Sequence, residues 1–339
     1  MQAMAYELPE TIITSDAIEG RLMPIYERFG LRAGRLELMT GIKERRAGGV
    51  HEAPSVLAIK VANRLLEETK IAREEIELLI FASVCRDFLE PATAAIVHHG
   101  VGLAPHCQFF DLSNACLGVA SAMVMMAEMI ERGSIRRGLI VASENGGPLL
   151  EKTIHHLLQE HRQGSISKEK LKKHFASFTI GSGAFAMVLG SDEERGPRLL
   201  GGSVLVDSHA SHLCQGGMAS DGGGLLMETD AEALLVAGCN LAVENWKGAR
   251  EALSWENTTP DHLITHQVGE AHLRLLCERL ELPRSKVHTN YHILGNTGSV
   301  AMPISLCMAS ESGAIKAGEV VGLLGIGSGL SSIMLGVRY

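Results

Sequence analysis

The chain has 339 residues and a formal net charge of −8, with 46% hydrophobic and only 4% aromatic residues, enough apolar content for two ordinary domains or one large α/β unit. The acidic charge is dispersed and contains no basic block of the kind that binds nucleic acid, and no uncharged apolar run approaches the roughly 18 residues of a membrane span. Seven cysteines at irregular spacing (85, 107, 116, 214, 239, 277 and 307), with no CxxC pair and no charged-then-apolar leader at the start, fit free thiols in a soluble, cytoplasmic protein rather than a disulfide framework.

In chain order, helical periodicity covers 55–69 and the apolar run "LLIFASV" (78–84) reads as a buried strand. A strand at 107–112, a helix at 117–132 and a strand at 138–143 follow. The segment 151–175 is charged and helical with a central "GS", the pattern of an inserted helical hairpin. A strand at 184–190 precedes a Gly-, Ser- and His-rich stretch, 205–225, expected to be a mobile loop. Then come a helix (230–254), a strand (262–268), a helix (269–281), a strand (286–291), a helix (298–312) and two strands (320–327 and 332–338). Strands alternating with helices predict a mostly parallel sheet covered on both faces.

Two of these units are alike. Residues 114–143 and 294–325 match at an offset of 180, which lays Gly133 on Gly313, Ile135 on Ile315, Gly138 on Gly318 and Val141 on Val321. Upstream, 73–84 matches 258–268 at an offset of 184. The expectation is a duplicated α/β chain with halves 1–190 and 191–339, the first carrying the insertion at about 151–175. Under the first offset Cys116 falls on Asn296.

Cys116 lies where a strand gives way to a helix. The unpaired N–H groups and positive dipole end of a helix N-terminus favour a thiolate there, although local context alone leaves open a small buried core thiol. His266 lies in "ITHQV" at the C-terminal tip of a strand, the edge at which parallel α/β sheets bind ligands. Asn296, in "LGNTG", reads either as a turn residue or as an amide donor for a developing oxyanion or enolate. The turn "GIGSGL" (325–330) brings the backbone N–H of Ser328 to another strand tip. Scattered histidine pairs (His98–His99, His155–His156, His209 and His212) lack metal-ligand spacing, so no metal is expected. The Met-rich stretch 122–129 reads as core packing or as the wall of an apolar channel.

Together "SNACLGV", "ITHQV", "LGNTGSVAMP" and "LLGIGSGL" resemble the thiolase superfamily, and more narrowly the ketoacyl-acyl-carrier-protein synthase III enzymes. The resemblance spans nearly the whole chain. It implies a duplicated, five-layered αβαβα fold with mixed sheets, a homodimer, and an acyltransferase that needs no cofactor beyond its coenzyme A thioester substrates. It assigns Cys116 as the acylated nucleophile and His266 and Asn296 as the pair serving the second acyl group. The backbone N–H groups of Cys116 and Ser328 become the oxyanion hole. Within the superfamily, "CRDFLEP" carries Glu90 before Pro91, as in the OleA-type thiolases, where a glutamate reaches into the partner subunit's site and acts as the base. The carrier-binding arginine of the fatty-acid-initiating enzymes corresponds to Ala271 here, with Arg274 nearby.

The resemblance therefore implies a non-decarboxylative, head-to-head condensation of two long-chain acyl-CoA molecules to a 2-alkyl-3-ketoacyl product, a reaction of olefin biosynthesis. Two alternatives stay open: a decarboxylative synthase using a malonyl thioester, and a non-catalytic acyl-CoA-binding or scaffold subunit. Acyl-CoA or acyl-carrier thioesters are the expected partners, with no nucleic acid and no stable membrane insertion.

Overall fold

The computed structural model describes residues 1–191, 196–218 and 224–339. The first half runs β1 (Ala3–Glu7), β2 (Ile12–Thr14), α1 (Ser15–Arg21), α2 (Met23–Phe29), α3 (Arg35–Thr40), β3 (Glu44–Arg46), α4 (Pro54–Thr69), β4 (Leu78–Phe81), α5 (Thr93–Val101), β5 (Gln108–Asp111), α6 (Gly118–Glu131), β6 (Arg137–Glu144), α7 (Gly147–Gln163), α8 (Lys168–His174) and β7 (Gly183–Gly190). The second runs β8 (Arg198–Val206), β9 (Cys214–Met218), β10 (Leu225–Thr229), α9 (Ala231–Leu253), β11 (His262–Thr265), α10 (Glu270–Leu280), β12 (Val287–His288), α11 (Tyr291–Leu294), α12 (Ala301–Glu311), β13 (Val320–Gly327) and β14 (Ser331–Arg338). The expected junction at 190/191 abuts residues 192–195, which lie outside the described residues.

Two five-stranded sheets have matching orders, β1-β7-β6-β4-β5 and β8-β14-β13-β11-β12. In each, the strand before the first long crossover helix pairs parallel with two neighbours: β4 with β5 and β6, β11 with β12 and β13. The other two pairings of each sheet are antiparallel. The sheets are thus mixed rather than mostly parallel, because β7 and β14 each run against both of their neighbours. The edge strands β1 and β8 carry no continuous apolar run, whereas β4, β6 and β13 are buried on both faces and read as unbroken hydrophobic stretches.

Three apolar clusters fill the four interfaces between five structural layers, the central one spanning two of them. Between the sheets lie α6 and α12, whose Val119, Met123, Met126, Ile304 and Leu306 pack against Ile80 and Ile140 of one sheet and Leu323 and Leu335 of the other. The outer face of the first sheet carries α4 and α5. That of the second carries α9 and α10. Burying each such Leu, Ile or Met side chain stabilises the fold by roughly 2 kcal/mol. Met123 and Met126 of the Met-rich stretch belong to this central core.

The two offsets meet inside one unit. The 180-residue offset holds to the ends of the central helices, where Gly133 and Gly313 both take φ 72°. Beyond them it lengthens: Leu78 pairs with Gly138, but His262, its counterpart, pairs with Val321. The equivalent of Gly138 is therefore Val321, not Gly318, because the second connection is longer.

The insertion is a helical hairpin, α7 and α8, with α7 ending at Gly164 in the left-handed conformation and Ser167 capping α8 by accepting from Lys170 N–H at 3.1 Å. It shares a separate apolar cluster with α1, α2 and α3, built on Ile18, Leu22, Leu36, Ile154, Leu157 and Phe178. The stretch 205–225 is structured where described. It holds the end of β8, a short 3-10 turn at Ser208–Leu213, and the paired strands β9 and β10; residues 219–223 lie outside the described residues. The strand expected at 286–291 shortens to Val287–His288 because Tyr291–Leu294 turns helical. No described helix is long and apolar enough to cross a membrane.

Candidate active site

Cys116 occupies a sharp turn between β5 and α6. Ala115 takes φ +45°, a left-handed conformation that costs a non-glycine residue on the order of 1–2 kcal/mol. Strain of this kind presents nucleophiles at strand-to-helix junctions. α6 starts two residues on, at Gly118, where a Cβ would come within 2.7 Å of the Ala82 carbonyl oxygen. Only glycine lets the helix start so close to the tip of β4.

Cys116, His266 and Ser328 converge on the C-terminal end of β13. The Cys116 amide nitrogen stands 3.6 Å from the place a Cβ would occupy on Gly327, and Leu117 fills the space over Gly325 and Gly327. The His266 N–H donates to the Leu324 carbonyl at 3.0 Å. Ser328 directly follows Gly327 in the turn between β13 and β14. Gln267 locks the tip of β11: its Nε2 donates to the Thr265 carbonyl at 2.9 Å and its Oε1 accepts from the Asn290 N–H at 3.0 Å.

Asn296 is held from two sides. Its N–H donates to Thr179 O at 2.8 Å, and its carbonyl accepts from Gly181 N–H at 2.9 Å. Its Oδ1 accepts from Gly298 N–H at 3.0 Å, which leaves the Nδ2 donor for other partners. Behind this turn lies a fully buried guanidinium, Arg45, which donates to Phe178 O at 2.8 Å and Ser15 Oγ at 3.1 Å. Burial lowers its pKa to about 10. In front lies the buried carboxylate of Glu144. Glu144 accepts from Val84 N–H (2.9 Å), Cys85 N–H (3.1 Å), Ser299 N–H (3.4 Å) and Ser299 Oγ.

Glu90 stands apart. It is exposed at the tip of the loop after β4, flanked by Phe88 and Leu89, the latter 93% exposed. The stem of that loop is fixed: Asp87 Oδ1 accepts from Ser55 N–H and Asp87 N–H donates to Thr93 Oγ1, each at 3.0 Å. Among the described residues, no hydrogen bond or ion pair joins Glu90 to the other four.

The electrostatics reverse one expectation. Burial, the Glu144 charge and Cys214 push the Cys116 thiol up to about 12, and the thiol's contact with its own backbone N–H offsets this only in part. Burial, then His272, pushes His266 down to about 3. The resting site therefore holds a neutral thiol and a neutral imidazole, and helix α6 alone does not make a thiolate. Alkylation of Cys116 by iodoacetamide is expected to climb about tenfold per pH unit from pH 7 to beyond 9, without a plateau near neutrality.

His272, in the first turn of α10, is held down to about 4 by burial, and among the described residues its Nδ1, like that of His266, has no hydrogen-bond partner. Both histidines take up protons more readily unfolded than folded. Their contribution leaves stability whole above pH 6.5 and withdraws it as pH falls toward 4 and 3, by up to about 1.4 kcal/mol per unit for each. Chemical denaturation at pH 4.5 and 7 should show His272→Gln losing less stability on acidification than the unsubstituted protein.

Sequence reasoning did not single out Glu144, Arg45, Cys85 or His272. Glu144 had a detectable signal, a carboxylate ending an otherwise unbroken buried strand. Arg45 and His272 had none, since arginines and histidines are common in exposed turns.

A strained cysteine turn in one half, facing strand tips of an equivalent second half across a shared helical layer, is the architecture of the thiolase condensing enzymes. The family description "3-oxoacyl-[acyl-carrier-protein] synthase III C terminal" matches residues 251–339, and "3-oxoacyl-[acyl-carrier-protein] synthase III" matches 110–156. An acyl-CoA:acyl-CoA alkyltransferase of Shewanella oneidensis is 35% identical, covering 100% of this chain and 98% of its own. One of Xanthomonas campestris pv. campestris is 34% identical over 98% and 96%. The crystal structure of a glutamate-to-glutamine variant of Xanthomonas campestris OleA superposes with a TM-score of 0.94 at 33% identity, covering 100% of this chain and 96% of that one. A cysteine-to-serine variant of that protein has also been solved with bound lauric acid and lauroyl-CoA. The chain belongs to the OleA-type acyl-CoA:acyl-CoA alkyltransferases, a branch of the thiolase superfamily related to 3-oxoacyl-acyl-carrier-protein synthase III, and it is an acyltransferase.

Proposed function

We propose that this protein joins two long-chain acyl-CoA molecules head to head by a Claisen condensation without loss of carbon dioxide. Cys116 Sγ attacks the thioester carbonyl of the first acyl-CoA as its proton passes through the neutral His266 imidazole to the departing coenzyme A sulfur; the bond from the carbonyl carbon to coenzyme A breaks and coenzyme A leaves as its thiol. The carbonyl oxygen of this step is stabilised by the N–H groups of Cys116 and Ser328. A base then removes the proton next to the carbonyl of a second acyl-CoA. The resulting enolate, held by donors from His266 and Asn296, attacks the acyl-enzyme. Cys116 departs, regains its proton, and a 2-alkyl-3-ketoacyl-CoA is released.

The base is Glu90. The observation that carries this reading is its spacing: Xanthomonas OleA has been solved with one glutamate and one cysteine substituted, and that glutamate precedes that cysteine by 26 residues, as Glu90 precedes Cys116. A decarboxylative enzyme generates its carbanion by releasing carbon dioxide and needs no such group. The exposed Phe88–Leu89–Glu90 tip fits a homodimer in which each protomer lends its glutamate to the other. On this view 1–190 supplies the nucleophile and the lent base, and 191–339 supplies the acceptor-side donors, in a cytoplasmic enzyme with no cofactor beyond its substrates.

Purified protein should convert long-chain acyl-CoA alone into the 2-alkyl-3-keto product or its decarboxylated ketone, detected by mass spectrometry. Product appearing only after addition of a malonyl thioester would overturn the reading.

A further inference from the structure

We propose that Glu144 is a positioning residue for the condensation step, resting on the function proposed above: its carboxylate ties the Asn296 turn to the root of the Glu90 loop, so each protomer couples its own acceptor turn to the base it lends its neighbour. The geometry is specific. Oε1 accepts from the Val84 N–H and from both the N–H and the hydroxyl of Ser299, three residues past Asn296, while Oε2 accepts from the Cys85 N–H; Val84 and Cys85 lie in the segment that leads from β4 to Glu90. Between Asn296 and Ser299, Gly298, at φ +57°, would place a Cβ only 3.3 Å from Glu144 Cδ. The same Gly298 donates its N–H to Asn296 Oδ1. Moving Glu144 moves Gly298, and moving Gly298 turns the Asn296 amide.

Packing alone does not account for an anion here. Burying a carboxylate is costly, and an apolar side chain of similar volume would fill the space. The charge also makes the Cys116 proton harder to remove, which opposes the first chemical step. What the carboxylate supplies that no neutral residue supplies is four acceptor contacts converging from both halves of the fold.

The test uses full-length Glu144→Gln and Ser299→Ala proteins with three measurements: covalent acylation by intact mass, kcat and KM for condensation, and the pH profile of Cys116 alkylation. Glu144→Gln is expected to remain acylated to within about twofold of the unsubstituted protein, to lose about tenfold to a hundredfold in condensation kcat, and to be alkylated at lower pH because the anion is gone. Ser299→Ala should lower condensation kcat several-fold and leave the alkylation profile unmoved. Condensation within about twofold of normal in both variants would overturn the proposal. So would parallel losses of acylation, condensation and thermal stability, which mark a purely structural role. Failure of the function itself looks different: the unsubstituted protein would then yield no condensation product from acyl-CoA alone.

Discussion

Cys116→Ala is expected to abolish both the covalent acyl adduct and the condensation product, a loss on the order of 10⁴-fold or more in turnover, since both half-reactions pass through one thioester. The other six thiols are poor substitutes. Cys107, Cys239, Cys277 and Cys307 are buried within apolar clusters, away from the end of β13 where Cys116 lies. Cys85 is tied down beside Glu144, its Sγ donating to the Asn145 carbonyl at 3.7 Å. Cys214 is half-buried on β9, with Thr229 Oγ1 3.5 Å from its sulfur. None sits at a strained turn ahead of a central helix. The check is the intact mass of the protein after incubation with long-chain acyl-CoA. The unsubstituted protein should gain one acyl group and the variant none; an adduct of equal stoichiometry on Cys116→Ala would assign the nucleophile elsewhere. The substitution leaves the backbone of Ala115 and Gly118 untouched, so loss of fold is not expected to confuse the result.

The buried parallel strands were the most legible part of the sequence, because being covered on both faces writes an unbroken apolar run into β4, β6 and β13. The duplication was legible for the same reason, as matched strand–helix units recur in β4 to β6 and β11 to β13. The edge strands β1 and β8 were not. Half-exposed strands alternate weakly, and the glycines of β8 dilute the signal further. In the site, Cys116, His266 and Ser328 follow strand tips, where topology puts ligand-facing residues, and converge on the end of β13, whereas Asn296 follows the short helix α11. The charge state of Cys116 was not legible. A helix N-terminus can be read from the sequence, but the enclosure of the thiol and the Glu144 carboxylate beside it arise only when distant segments fold together. Arg45 illustrates the same limit: nothing in "TGIKERR" marks which of its two arginines becomes fully buried.

Glu90→Gln should acylate normally and fail to condense, with turnover lower by roughly 10³-fold, within the range that general-base catalysis contributes. Gln keeps the shape of the side chain and cannot accept the proton, so the two half-reactions separate. Because Glu90 is exposed and lacks a partner within its own chain among the described residues, the homodimer proposed above carries a further expectation. Mixing Cys116→Ala protein with Glu90→Gln protein, under conditions that exchange subunits, should restore activity. In a mixed dimer the Glu90→Gln chain supplies an intact Cys116 site and the Cys116→Ala chain lends it an intact Glu90. Random pairing makes half of the dimers mixed, and each has one working site of two, so recovery should approach about a quarter of normal turnover. If Glu90 served its own protomer, no mixed dimer would contain a complete site and activity would stay at the level of the separate variants. Normal condensation by Glu90→Gln alone would remove the glutamate from the mechanism altogether.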